Sequence, residues 1–121
     1  MKRILIVDDA KVTRTVIRQV LTRHGFQVAG EAINGKDALT KYSKQQPDAV
    51  IMDIIMPEMD GLQGLKEIMA FDNHAKVIMV SAIDQRDAIM EAIRYGAKDY
   101  VVKPFEDDRI IAALNNVFNS A

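Results

Sequence analysis

Ionisable and hydroxyl side chains directly follow four of the five short apolar runs in this sequence. The residues concerned are Asp8 and Asp9, Asp53, Ser81 and Lys103. Three carboxylates in one hollow repel each other, and a hard divalent cation such as Mg²⁺ is the usual remedy where phosphate is handled. A carboxylate can also attack phosphorus, while metal and lysine neutralise the charge that develops. These residue types therefore predict phosphoryl chemistry at a magnesium site.

Such a site requires the apolar runs to end at one place, and the hydrophobic pattern explains how they do so. The runs predict strands at residues 4–7, 27–32, 50–52, 77–80 and 100–102. Amphipathic helical positions follow each strand, within residues 12–21, 38–42, 62–69, 86–95 and 110–118. The first helix is expected to bury the stripe Val12, Val16, Ile17, Val20 and Leu21. Gly25 and Pro47 are interpreted as stop signals after the first two helices.

Strict alternation of strand and helix predicts an α/β fold, a doubly wound, five-stranded parallel sheet with five helices covering both faces. The second strand, with Gly30 and polar flanks, is expected at a sheet edge. In open parallel sheets, ligands bind outside the carboxyl ends of the strands. We therefore expect the acids, the serine and the lysine to share one rim.

Composition limits the range of functions. The chain has 121 residues, a length that predicts one domain over residues 1–121. Its formal net charge of -1 gives no general attraction to nucleic acid or to an anionic membrane. It contains no cysteine, which excludes disulfide and thiol chemistry. The first apolar run has only four residues, too few for a signal peptide or a membrane span, so a cytoplasmic location is predicted.

Several ordered motifs resemble those of a known family. They are Asp8-Asp9, Asp53 with Met56-Pro57 and Gly61, Ser81-Ala82, Tyr100, and Lys103-Pro104-Phe105. In this order they are similar to the receiver domains of two-component response regulators, and most similar to the single-domain, CheY-like chemotaxis regulators. The resemblance covers essentially the whole chain, and it implies the strand order 2-1-3-4-5.

The resemblance also implies a role for each motif residue. Asp53 would be the phosphoacceptor, and Lys103 would pair with the phosphoryl group. Mg²⁺ would be bound directly by Asp9, by Asp53 and by the backbone carbonyl of Ile55, and through water by Asp8. Ser81 and Tyr100 would form a switch pair. The apolar side chains of Ile55 and Ile83, where a polar group would influence hydrolysis, leave the lifetime of the phosphoryl group open.

The same resemblance implies partners. A histidine kinase would donate the phosphoryl group, and a downstream protein such as the flagellar motor switch would bind the face made by the fourth helix, the fifth strand and the fifth helix. Ile89, Met90 and Tyr100 are the expected contact residues of that face. The protein would be a monomer, and a phosphoacceptor with self-catalysed phosphorylation and dephosphorylation rather than an enzyme.

Other interpretations remain open from the sequence. Asp8 and Asp9 are equally suited to capping the first helix. Tyr100, Ile89 and Met90 are also suited to the core. A phosphorelay intermediate or sporulation-type regulator would use the same site. A haloacid-dehalogenase-like phosphohydrolase expects Asp-x-Asp after the first strand, and a flavodoxin-like binder expects a phosphate cradle there, whereas an inert acid pocket would leave only a structural interaction module.

Overall fold

The computed structural model describes residues 1–82 and 85–119. The strands are β1 (Arg3–Val7), β2 (Gln27–Ala32), β3 (Ala49–Asp53), β4 (Val77–Ala82) and β5 (Asp99–Lys103). The helices are α1 (Lys11–Arg23), α2 (Gly35–Gln45), α3 (Gly61–Phe71), α4 (Arg86–Arg94) and α5 (Asp107–Asn119). Every predicted element is confirmed, although β4 extends through Ser81 and Ala82, which were expected to lie just beyond its end.

The strands form one parallel sheet in the order β2-β1-β3-β4-β5, which confirms the predicted topology. The order reverses between β1, which Asp8 directly follows, and β3, which ends in Asp53. β2 lies at one edge, as predicted, and its pairing with β1 shifts register between Ile4 and Leu5. The acids therefore stand at the switch point, where open parallel sheets bind their ligands.

Side chains alternate between two apolar layers, one on each face of the sheet. Leu5 and Val7 of β1 pack in one layer with buried residues of α2, α3 and α4. Ile4 and Ile6 pack in the other with buried residues of α1 and α5. Since both faces are covered, the central strands are apolar at successive positions, and only the residues at their ends are free to be polar.

The expected buried stripe of α1 is only partly correct. Ile17, Val20 and Leu21 are buried, but Val12 is 77% exposed and Val16 is 44% exposed. The two valines lie on the N-terminal half of the helix, where the apolar layer does not cover them.

None of the helices in the described part of the chain is long and apolar enough to cross a membrane.

Candidate functional site

Two neighbouring strands bring the three predicted acids together at the carboxyl edge of the sheet. Asp8 directly follows β1, and Asp53 is the last residue of β3. Both are almost fully buried, whereas Asp9 is exposed. Carboxylate oxygens of the three residues lie within 4.8 Å of one another. The buried runs thus end in a compact acidic cluster at the protein surface.

Asp8 is held by the loop that it begins. Its Oδ1 accepts a hydrogen bond from the Ala10 backbone N–H at 2.8 Å. Burial raises the pKa of the Asp8 carboxyl above its ordinary value, and the nearby Asp53 charge adds to the rise, against the lowering by the Ala10 N–H and by the Lys103 ammonium. Ala10 is the N-cap of α1, and no side chain caps that helix. The interpretation of Asp8 and Asp9 as helix caps is therefore wrong.

Lys103 brings one positive charge to the cluster from the end of β5. Its Nζ lies 3.0 Å from Asp53 Oδ2 and 3.5 Å from Asp8 Oδ2. Burial acts to lower the pKa of the Lys103 ammonium, but the hydrogen bond to Asp53 and the charges of Asp53 and Asp8 outweigh burial, so the pKa is raised. One ammonium faces three carboxylates, and the cluster keeps an excess of negative charge.

The donor set fits Mg²⁺. Carboxylate oxygens are the hard ligands that this cation prefers, and it usually binds to a few carboxylates while it keeps part of its water shell. Asp9 is exposed and Asp53 points an oxygen into the same cluster, so the site offers charged oxygens together with access to water. The negative excess left by Lys103 is of the sign that a divalent cation would neutralise.

Ser81 is completely buried beside this rim, and its hydroxyl is unusual. Among residues 1–82 and 85–119, its Oγ is a buried side-chain oxygen without a hydrogen-bond partner. An unsatisfied buried hydroxyl costs about 1–3 kcal/mol, so its retention requires an explanation. A ligand oxygen arriving at the rim would supply the missing partner.

The predicted partner residues differ in exposure. Met90 and Tyr100 are 53% and 40% exposed, so the interpretation of these two as core residues is wrong. Ile89 is only 8% exposed, and its prediction as a surface contact must be corrected, because it is part of the apolar layer under α4. A cavity of about 380 Å³ is lined by Ser81, Ile89, Met90 and Tyr100, among others. It connects the buried serine to the exposed face of α4 and β5.

The loop after Asp53 carries Ile55, which is 64% exposed next to a buried Ile54. The role of the Ile55 backbone carbonyl as a metal ligand stays a prediction. Ile83, the second apolar residue expected to affect phosphoryl lifetime, lies outside the described residues.

Asn34 and Glu58 form a hydrogen bond of 3.2 Å at the loop after Asp53. This contact was not predicted, because no sequence signal links Asn34 to a residue 24 positions away.

Comparison with known proteins gives a consistent result. Residues 4–115 match the family described as response regulator receiver domain. The chain is 51% identical over 116 residues to the chemotaxis protein CheY of Thermotoga maritima, covering 96% of this chain and 97% of that protein. It is 50% identical over 117 residues to the chemotaxis protein CheY of Bacillus subtilis, with coverage of 97% and 98%.

A solved structure extends this similarity to three dimensions. The crystal structure of the CheX–CheY–BeF3–Mg²⁺ complex from Borrelia burgdorferi contains a chain that superposes with a TM-score of 0.94 at 36% identity, covering 98% of this chain and 90% of that one. The sequence similarity and the fold therefore point to the same family. The chain belongs to the response regulator receiver domain family of two-component signalling proteins, and within that family it is CheY-like.

Proposed function

We propose that Asp53 accepts a phosphoryl group from a histidine kinase, and that the resulting change at α4, β5 and α5 controls the binding of a downstream protein. Phosphoacceptor signalling is the activity of the family to which the chain belongs. The observation that supports Asp53 as the acceptor is its position: it ends β3 at the switch point, within 4.8 Å of two other acids and 3.0 Å from the Lys103 ammonium.

The chemistry is a transfer between two nucleophiles. A carboxylate oxygen of Asp53 attacks phosphorus, the new O–P bond forms as the P–N bond to the donor imidazole breaks, and an acyl phosphate remains on Asp53. Lys103 holds one carboxylate oxygen and offsets negative charge as the phosphoryl group arrives. Asp8, Asp9, Asp53 and the Ile55 carbonyl are the groups we assign to Mg²⁺, which when bound supplies positive charge against the repulsion between carboxylates and phosphoryl oxygens.

The proposed signal begins at Ser81. Its unpartnered Oγ can donate to an oxygen of the phosphoryl group, and the movement that brings it there would change the cavity shared with Tyr100. Tyr100 is exposed at 40% and has room to turn toward that cavity. Met90 and Tyr100 would then present a different surface to the partner, with Ile89 supporting that surface from below.

The relatives support the choice of partner. Two of them are named chemotaxis proteins, which favours the flagellar motor switch over a phosphorelay or sporulation partner. We further propose a cytoplasmic monomer that promotes its own phosphorylation and dephosphorylation and does not turn over a separate substrate. Family membership removes the haloacid-dehalogenase-like alternative.

Acetyl phosphate, a small-molecule donor, tests the assignment without knowledge of the kinase. The parent with Mg²⁺ should take up one phosphoryl group per chain, as measured by intact-protein mass spectrometry, and should take up none in chelator. Asp53→Asn should abolish uptake. Asp60→Asn is the matched control, because it makes the same change at a carboxylate that caps α3 through the Gln63 N–H, a role that asparagine also fills. Uptake that persists in Asp53→Asn or in chelator would contradict the proposal.

A further inference from the structure

Asn34 joins two elements by using both ends of its side-chain amide. Its Oδ1 accepts from the Asp37 N–H at 2.8 Å and so caps α2. Its Nδ2 donates to Glu58 Oε2 at 3.2 Å, across to the loop between β3 and α3. The orientation of the amide is determined chemically, because only the oxygen can accept from an N–H and only the nitrogen can donate to a carboxylate. Asn34 is 8% exposed, whereas Glu58 is exposed, so the second bond joins a buried amide to a surface carboxylate.

The next residue adds a backbone contact to the same loop. The Gly35 N–H donates to the Met59 carbonyl at 2.7 Å. A Cβ on Gly35 would lie 2.7 Å from the Asp60 carbonyl oxygen, closer than real Cβ atoms approach backbone, and 3.0 Å from the Gly64 Cα, which is also tight. Only glycine permits this approach, so the turn before α2 lies directly against the loop.

The loop itself is closed at its base and strained at its tip. The Gly61 N–H donates to the Ile54 carbonyl at 2.7 Å, and a Cβ on Gly61 would lie 2.0 Å from the Asp53 carbonyl oxygen. Glu58 has a φ of 65°, in the left-handed region that a non-glycine residue adopts at a cost. Ile55 lies between these two points. Such a conformation persists when neighbouring contacts determine it.

We propose that Asn34 and Glu58 are positioning residues for the metal site, and that their hydrogen bond fixes the loop that carries Ile55. The inference rests on the proposed function, because it takes the Ile55 carbonyl and the carboxylate of Asp53 as metal ligands. Neither Asn34 nor Glu58 belongs to the acidic cluster. Both act through the backbone of residues 54–60, in the way that groups behind metal ligands set affinity by orienting them.

Helix capping alone would not explain the bond to Glu58, and the two roles can be separated. Asn34→Ser and Asn34→Asp both keep a good capping oxygen for the Asp37 N–H, but neither can donate to the Glu58 carboxylate. Asn34→Asp also adds a negative charge near the acids, which by itself would tighten Mg²⁺ binding. In the Asn34→Asp/Glu58→Gln double variant, the amide at position 58 donates and the carboxylate at position 34 accepts, so the hydrogen bond can form again. The total charge of the pair is the same as in the parent.

Titration calorimetry with Mg²⁺ alone, on the full chain, tests the proposal. We expect Kd to rise on the order of tenfold in Asn34→Ser and in Glu58→Ala, and in Asn34→Asp despite its added charge. The double variant should recover most of the loss. Amide hydrogen exchange in chelator should show faster exchange at Gly35 and Gly61 in the weakened variants, and urea midpoints should confirm that all of them fold.

The outcomes separate the two hypotheses. A parent that binds no Mg²⁺ would overturn the proposed function and the positioning role with it. A parent that binds Mg²⁺, together with an unchanged Kd in Asn34→Ser and Glu58→Ala, would overturn only the positioning role. A double variant no better than Asn34→Asp would do the same, because it would mean that the weakening does not depend on the hydrogen bond.

Discussion

Neutralising Asp9 should stabilise the metal-free protein and destabilise the metal-bound one. Asp9 lies within 4.8 Å of the carboxylates of Asp8 and Asp53, while the Lys103 ammonium contacts only those two. Two unit charges at 4.8 Å repel by about 0.9 kcal/mol in water, and by about 3.5 kcal/mol at an effective dielectric constant of 20. Since Asp9 is exposed and Lys103 offsets part of the field, we expect Asp9→Asn to gain on the order of 1 kcal/mol in chelator.

Bound Mg²⁺ should reverse that order. A ligand present at 100 times its Kd stabilises the folded state by about 2.7 kcal/mol. If the loss of one carboxylate raises Kd about 100-fold, the same concentration stabilises Asp9→Asn by only about 0.4 kcal/mol. The parent should therefore be more stable by about 1 kcal/mol with metal.

Urea denaturation of both proteins, in chelator and at fixed Mg²⁺, measures the inversion. Sodium chloride at matched ionic strength controls for screening of the acids. Asp53→Asn is a useful contrast, because it removes the carboxylate that Lys103 contacts at 3.0 Å, and it should gain less than Asp9→Asn in chelator. A parent that is already more stable than Asp9→Asn without metal would refute the reasoning about crowded charge.

Two further predictions concern elements that support the rim. A Cβ at Gly64 would lie 2.9 Å from the Gly35 Cα, so Gly64→Ala should destabilise by about 1–2 kcal/mol despite the better helix propensity of alanine, and an unchanged urea midpoint would mean that the helices separate easily. The hydrogen bonds from Arg18 and Arg14 hold the pKa of Glu31 below its ordinary value, which overcomes the effect of burial. Because the pKa of Glu31 is lower in the folded state, its ionised carboxylate stabilises the fold at pH values above the unfolded pKa of 4.5, and this stabilisation is lost as the pH falls through the folded-state pKa. Glu31→Gln should therefore cost at most about 1 kcal/mol of unfolding free energy at pH 7 and progressively less in acid. A difference in unfolding free energy that stays constant with pH would contradict this assignment.

The order of the elements and the acidic rim could be predicted because both follow from local patterns. Buried parallel strands require continuous apolar runs, which are visible in the sequence. The residues that follow those runs can be read directly, and they are the residues at the rim. Exposure was harder to predict. Val12 and Val16 fit the apolar stripe of α1 yet remain exposed, because periodicity identifies the side of a helix that faces the sheet but not how much of that side is covered. Ile89 and Met90 have opposite exposure because consecutive residues of a helix are about 100° apart around its axis, so only Ile89 packs against the core.

The support of the loop after Asp53 could not be predicted at all. Asn34-Gly35 is a typical turn sequence, and in the structure Asn34 also caps α2. Their contacts with Glu58 and Met59 depend on how closely α2 approaches α3, and that distance is determined by tertiary packing. A single sequence contains no local pattern for such a contact.

Helix α4 is attached to the sheet more weakly than its counterpart on the other face. It buries Ile89 and Ala92, whereas α5 buries Ile110, Ala113, Leu114 and Val117. Full burial of one large aliphatic side chain contributes about 1.5–3 kcal/mol, so α4 is held by roughly the free energy of a single isoleucine plus an alanine. A ligand or modification at the rim that contributes a few kcal/mol of interaction free energy is large enough to shift the packing of α4 on the sheet, but too small to displace α5. Cohesion is therefore lower in α4, the helix that borders the cavity with Ser81, than in α5, so we expect a local chemical event to change the outline of the molecule at α4 while α5 stays in place.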